Sequence, residues 1–187
     1  PDDFVKLFVA KAVENGIDVI RIFDALNDVS NLKVAMEATV KAGAIASGTI
    51  SYTTAPVHTH AKYVEMVKEL KEMGASTICI KDMAGIMGPQ EAYDMVSAIK
   101  DAVPGMPIDL HTHSTTGLAF MTYLKAVEAG VDIIDTAISP MSGGTSQPAT
   151  ETMAYALRQL GYEVDLDDAC TKKMADYFKG VRDGYVA

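Results

Sequence analysis

Five short apolar runs recur along the chain, separated by longer stretches in which apolar residues fall three or four apart. The runs are IDVIRIF, IASGTISY, STICIKD, PIDLHTH and VDIIDTAI, and each follows a glycine that ends a helix-like segment: Gly16, Gly43, Gly74, Gly105 and Gly130. Glycine at that place fits a left-handed helix C-terminal cap. The glycines stand 25 to 31 residues apart, the length of one strand-plus-helix unit, so the pattern predicts a tandem array of such units. Amphipathic helices are predicted over 31–42, 58–73, 89–103 and 115–129, with an earlier one carrying Phe4, Leu7, Phe8, Ala12 and Val13. Strands this apolar, alternating with helices, predict a parallel sheet covered by helices. A closed eight-stranded barrel takes about 250 residues, so five units predict either an incomplete (β/α) barrel or a five-stranded doubly wound sheet. After Gln147 the pattern changes to two helical stretches, 148–160 and 167–182, with Asp165 as the expected cap of the second. The chain thus divides into a partial barrel over 1–147 and a last barrel helix with a helical tail over 148–187.

Composition narrows the class. With 187 residues, 49% of them hydrophobic, the chain can bury a core as one domain. A net charge of -9 without clustered Lys or Arg argues against a nucleic-acid partner. Cys79 and Cys170 lie far apart inside predicted elements, which fits reduced thiols and a cytoplasmic setting. No run approaches the roughly 20 apolar residues of a membrane span. The first residue is Pro1 and a helix follows at once, as expected for the interior of a longer polypeptide.

The candidate chemistry sits where two successive strands end. In Pro107-Ile-Asp-Leu-His-Thr-His113 the strand period of two puts Ile108 and Leu110 on one face and Asp109, His111 and His113 on the other. Two imidazoles two residues apart on a strand can chelate one ion; the alternative is a pair of buried structural histidines. The second His-Thr-His, at His58 and His60, follows Pro56 in a loop and reads as a capping or surface feature. Lys81, in Cys79-Ile-Lys-Asp-Met-Ala-Gly85, has three readings: a ligand carboxylated by CO2, favoured by apolar surroundings that stabilise the neutral amine, a Schiff-base nucleophile, or an ion-pair partner of Asp82. Arg21 is expected to pair inside the sheet with Asp109 or Asp135. Asp24, Asn27, Ser51 and Tyr52 fall at strand ends as candidate pocket residues, Met83 as a pocket wall, and Thr145 in the polar Met141–Pro148 loop completes that group.

RIFDALND (21–28), SYT (51–53), CIKDMAG (79–85), LHTHSTTG (110–117) and MSGGTSQP (141–148) closely resemble the carboxyltransferase domain of biotin-dependent enzymes. That family includes the oxaloacetate decarboxylase alpha subunit, pyruvate carboxylase, in which this domain can form a separate subunit, and the transcarboxylase 5S subunit. The resemblance implies a (β/α)8 TIM barrel of which this chain carries about strands four to eight. It implies a divalent metal, zinc, manganese or cobalt, held by His111, His113, a carboxylated Lys81 and an aspartate from a first strand that nothing here matches. It also implies biotin on a carrier domain or partner, oxaloacetate or pyruvate as substrate, and, for one branch, membrane decarboxylase subunits as partners. Carboxyl transfer in the family passes through an enolate whose charge a metal Lewis acid stabilises. The family's keto-acid-binding glutamine and arginine and its proton-relaying threonine have no counterpart here, and Thr145 is not that threonine. The 187 residues alone are therefore expected to be inactive.

Three other readings compete. A metal-dependent lyase or aldolase of the same broad barrel group would also use a His-x-His pair and an enolate, but would not need Lys81. Metal-dependent amidohydrolases combine such a pair with a modified lysine, yet there the histidines come first in the chain. A non-enzymatic, folded or assembly-forming piece is the third reading. On any of the readings an exposed parallel edge is expected to pair with another chain, as a homodimer or by strand swapping.

Overall fold

A computed structural model describes residues 1–185; the last two residues of the predicted tail, 186 and 187, lie outside the described residues. In chain order the elements are α1 (Asp2–Glu14), β1 (Val19–Ile22), α2 (Lys33–Ala42), β2 (Ile45–Ser51), α3 (His60–Glu72), β3 (Thr77–Asp82), α4 (Pro89–Ala102), β4 (Ile108–Thr112), α5 (Ala119–Glu128), β5 (Ile133–Ile134), α6 (Thr150–Gln159) and α7 (Asp168–Asp183). All five strands are parallel and lie in the order β1-β2-β3-β4-β5. A doubly wound sheet reverses strand order at a switch point. This one never does, so the architecture is a segment of a barrel.

The period of two divides the sheet. Ile22, Ala46, Ile50, Ile78, Ile80, Ile108 and Leu110 face the helices and form one core with Met66, Val67 and Leu70 of α3, Met95, Val96 and Ile99 of α4, and Tyr123 of α5. Burying a side chain of this size contributes about 1.5–3 kcal/mol each, so this layer supplies most of the cohesion. Gly48 belongs to the same layer: a Cβ there would lie 3.1 Å from the Leu70 Cβ and 3.2 Å from that of Ala75, so its absence sets how closely α3 seats on β2. The opposite face carries Arg21, Ser47, Thr49, Ser51, Lys81, Asp109 and His111, a polar lining for the inside of the barrel.

The five predicted cap glycines all take positive φ. Two expectations need correction. Asp167, not Asp165, caps α7, because its carboxylate accepts from the amides of Ala169 and Cys170. In α1, Val9 is the buried residue, while Phe4, Leu7 and Phe8 remain exposed. The helix packs on α2 through one edge of its apolar stripe, and the rest of that stripe faces outward in the described residues.

One backbone approach links the fold to the candidate site. Gly85, at φ 68°, lies so near the His113 backbone that a Cβ would collide with its carbonyl oxygen. Gly85→Ala combines a left-handed non-glycine residue with a backbone clash and should cost more than about 2 kcal/mol. Gly180→Ala, inside α7 with open space around it, should instead stabilise by about 0.5–1 kcal/mol from helix propensity. Denaturant titration of both variants checks this; equal midpoints would refute the close approach.

Candidate functional site

Register brings the site together. Ser51 of β2, Lys81 of β3 and His111 of β4 are successive partners across the sheet, one row at the C-terminal ends of the strands. His113 lies two residues beyond His111 on the same side, and its amide donates to the Asp82 carbonyl at 3.1 Å, extending the β3–β4 pairing past the end of β4. Asp82 points the other way. Buried under the helices, it accepts from the amides of Ile86 and Met87 and from the Thr112 hydroxyl at 2.8–3.1 Å. That staple fixes the turn after Lys81 and removes the Lys81–Asp82 ion pair as a reading. Lys81 lies on the inner face, its Nζ 3.8 Å from the centroid of the Phe23 ring.

The two imidazoles converge. Their Nε2 atoms are 3.2 Å apart and the rings meet edge to face. His111 Nδ1 is 2.7 Å from the Asp135 carboxylate, and His113 Nδ1 is 2.5 Å from the Thr145 carbonyl. Both of those partners only accept, and for His111 the carboxylate is nearer than the donor Arg21 Nη1 at 3.4 Å, so the geometry places a proton on each Nδ1 and leaves each Nε2 as an acceptor facing the other. Two acceptors at that distance repel unless a cation lies between them. With metal–nitrogen bonds of about 2.0–2.1 Å, two tetrahedral ligands stand roughly 3.4 Å apart, so the pair fits a divalent metal. Among the described residues no three His, Cys, Asp or Glu side chains form a metal cluster.

Beneath this row lies a partly buried charge cluster. The Arg21 guanidinium donates to Asp109 and, at 2.6 Å, to the Asp135 oxygen that also serves His111. Burial opposes the Arg21 charge, yet the bond to Asp135 and the surrounding negative groups raise its pKa further. Burial also works against the Asp135 charge, but bonds from His111 and Arg21 outweigh it and hold the carboxyl down at about 2. Asp109 is pushed up to about 6, first by burial and then by the nearby Asp135 charge. One of its oxygens finds no partner among the described residues. Burial likewise pushes the Cys79 thiol up to about 12, which leaves it unreactive.

The other candidates do different work. Asn27, at φ 60°, bonds through its amide to both the carbonyl and the amide of Ser51, at 2.8 and 2.7 Å, while the Ser51 hydroxyl donates to the Asp24 carbonyl. Asp24 in turn accepts from the amides of Leu26 and Asp28 and from Asn31. These three fasten the β1 loop to β2 instead of offering free groups to a pocket. Tyr52 falls on the helix side because strand alternation sends it opposite Ser51; it tilts against Tyr63, and burial raises its pKa to about 12. Met83 is exposed, and Thr145, also exposed, contributes its carbonyl. His58 stacks on Tyr63 and His60 pairs with Glu91 at 2.8 Å, both apart from His111 and His113. Sequence reading missed Gln147, whose amide nitrogen sits 3.2 Å from His111 Nε2, and the role of Phe23 beneath Lys81. Phe23 was legible from its alternation with Ile22; a loop residue such as Gln147 carries no periodic signal.

The Asp109 shift has a sign that can be checked. Its folded value lies above the ordinary 3.8, so the fold binds this proton more tightly than the unfolded chain does. The contribution is full below about pH 4 and is lost as pH rises through about 6, a change on the order of 2–3 kcal/mol. Thermal melts from pH 4 to 7 should show the wild type losing stability relative to Asp109→Asn over that interval. Parallel curves would contradict it.

A family model described as HMGL-like matches residues 9–177. A pyruvate carboxylase subunit of Methanocaldococcus jannaschii is 52% identical over 185 residues, 99% of this chain and 32% of that protein. The methylmalonyl-CoA carboxyltransferase 5S subunit of Propionibacterium freudenreichii subsp. shermanii is 49% identical over 185 residues, 98% of this chain and 37% of that one. The solved carboxyl transferase domain of Rhizobium etli pyruvate carboxylase with pyruvate superposes with a TM-score of 0.93 at 39% identity, covering 97% of this chain and 32% of the other. The chain spans about a third of the length of these relatives. Motifs, strand order and these matches agree: the chain belongs to the HMGL-like family, and the members it resembles are the carboxyltransferase parts of carboxylating enzymes.

Proposed function

We propose that this chain supplies the metal-holding side of an active site that moves a carboxyl group between a keto acid of the oxaloacetate or pyruvate type and biotin borne on a carrier domain or partner. The observation that carries the reading is the pair of Nε2 atoms facing each other at 3.2 Å with Lys81 one strand away in register. His111, His113 and a carboxylated Lys81 would hold the ion, zinc, manganese or cobalt. When bound, it supplies a Lewis acid that stabilises the negative charge a keto acid develops as a carboxyl group leaves or joins the neighbouring carbon. The chain's own residues prepare the place. Asp135 and the Thr145 carbonyl aim the two imidazoles, and the Gln147 amide adds a neutral donor beside them. The inward lysine favours carboxyl transfer over a lyase or aldolase reaction, for which this position is not required.

Two measurements test the reading. Metal analysis of the purified protein should show that His113→Ala loses bound divalent metal while His60→Ala retains it; equal contents would sink the assignment. For Lys81, the intact enzyme carrying Lys81→Ala should lose biotin-dependent carboxyl transfer by about 100-fold or more. Added propionate should restore part of it by placing a carboxylate in the vacated space. Rescue by a short alkylamine instead would favour the nucleophilic amine reading.

A further inference from the structure

The two histidines have unequal backing. His111 donates from Nδ1 to a carboxylate oxygen of Asp135, whereas His113 donates to a neutral backbone carbonyl, that of Thr145. The same Asp135 oxygen also accepts from Arg21, which reaches it from β1 at the opposite edge of the sheet, so the carboxylate is held from two sides and partly buried. The Thr145 carbonyl belongs to a loop that turns through Gly143 and Gly144, both at positive φ, and Thr145 itself is exposed. An anionic acceptor fixes the tautomer of an imidazole and raises its basicity more than a neutral one does.

Resting on the metal reading above, we infer that Asp135 is a positioning residue that makes His111 the anchoring ligand of the site, with His113 the compliant one. Asp135 reaches the site through His111, to which it is bonded at 2.7 Å. Gln147 cannot substitute for it, because its amide meets His111 on the Nε2 side.

The test uses the intact protein and cobalt(II). Asp135→Asn keeps the shape and an acceptor oxygen for both His111 and Arg21 but removes the charge; it should weaken cobalt binding 10- to 100-fold by calorimetric titration. Gly144→Ala, which perturbs the loop behind His113, should weaken it by a smaller factor. Nitrogen-15 imidazole spectra of the metal-free protein supply a readout that a purely structural role would not move. In the wild type His111 should be wholly the Nδ1–H tautomer, and in Asp135→Asn a mixture. Cobalt uptake by the wild type with an unchanged dissociation constant in Asp135→Asn would overturn the positioning role alone. No cobalt uptake by the wild type would overturn the metal reading with it. Should Asp135→Asn fail to fold, the wild-type spectrum decides by itself: His111 found as the Nε2–H tautomer refutes the inference.

Discussion

Arg21 ties together the parts of the structure that matter. It stands on β1, one edge of the five-stranded sheet, and its guanidinium reaches Asp109 on β4 and Asp135 just past β5, the other edge. A five-stranded parallel sheet has no closure of its own to fix its curvature. A planar fork with two carboxylates spans the inner face and sets how far the edges bend toward each other. The contact is not an obvious source of net stability, since desolvating three charges costs several kcal/mol per ion before any attraction offsets it. Removing Arg21 would leave Asp109 without a charged partner, whereas either aspartate can be lost with the other still on the guanidinium, so the arginine is the member on which the arrangement turns. Because Asp135 also holds His111, that arrangement is passed directly to the site.

The same cluster explains why two aspartates on neighbouring strands behave oppositely. Asp109 is buried and Asp135 partly so, and both touch Arg21. Asp135 gains a second donor in His111, so its charge is doubly compensated and the carboxyl stays ionised. Asp109 shares Arg21 with a neighbour of like charge and leaves one oxygen unpaired, so burial dominates. One guanidinium cannot fully satisfy two carboxylates, and the unequal titration follows from that shortage.

Much of this was legible from residue order alone, for a physical reason. Apolar alternation on strands such as Ile78-Cys-Ile-Lys and Ile108-Asp-Leu-His decides which side chains meet the helices, and the same period sends Lys81, Asp109 and His111 inward. The Arg21 partners follow from the same parity. What alternation cannot reach is the chemistry of the loops. Asp24, Asn27 and Ser51 looked like pocket residues because they end strands, but their polar groups are consumed by backbone amides and carbonyls that a bend would otherwise leave unpaired. Asp165 and Asp167 are equally good caps by residue type, and only the position where the helix starts selects between them. The Thr145 carbonyl and the Gln147 amide arrive from a turn with no period at all.

The placement of lysine and histidines on adjacent strands also has a geometric logic. Neighbouring parallel strands run about 4.8 Å apart, so side chains at matched register can approach one point, and a long one reaches further out over the strand ends. Lys81 supplies that length, and carboxylation would place oxygen donors at its tip. Histidines two apart on one strand solve the complementary problem, since the strand end lets His113 swing back until its Nε2 meets that of His111. The swing is set by Gly85, whose missing Cβ lets the turn after β3 press on the His113 carbonyl, and by the Thr145 carbonyl on the other side of the ring. Strand register thus brings donors from two strands to one level, and the loops only trim their aim.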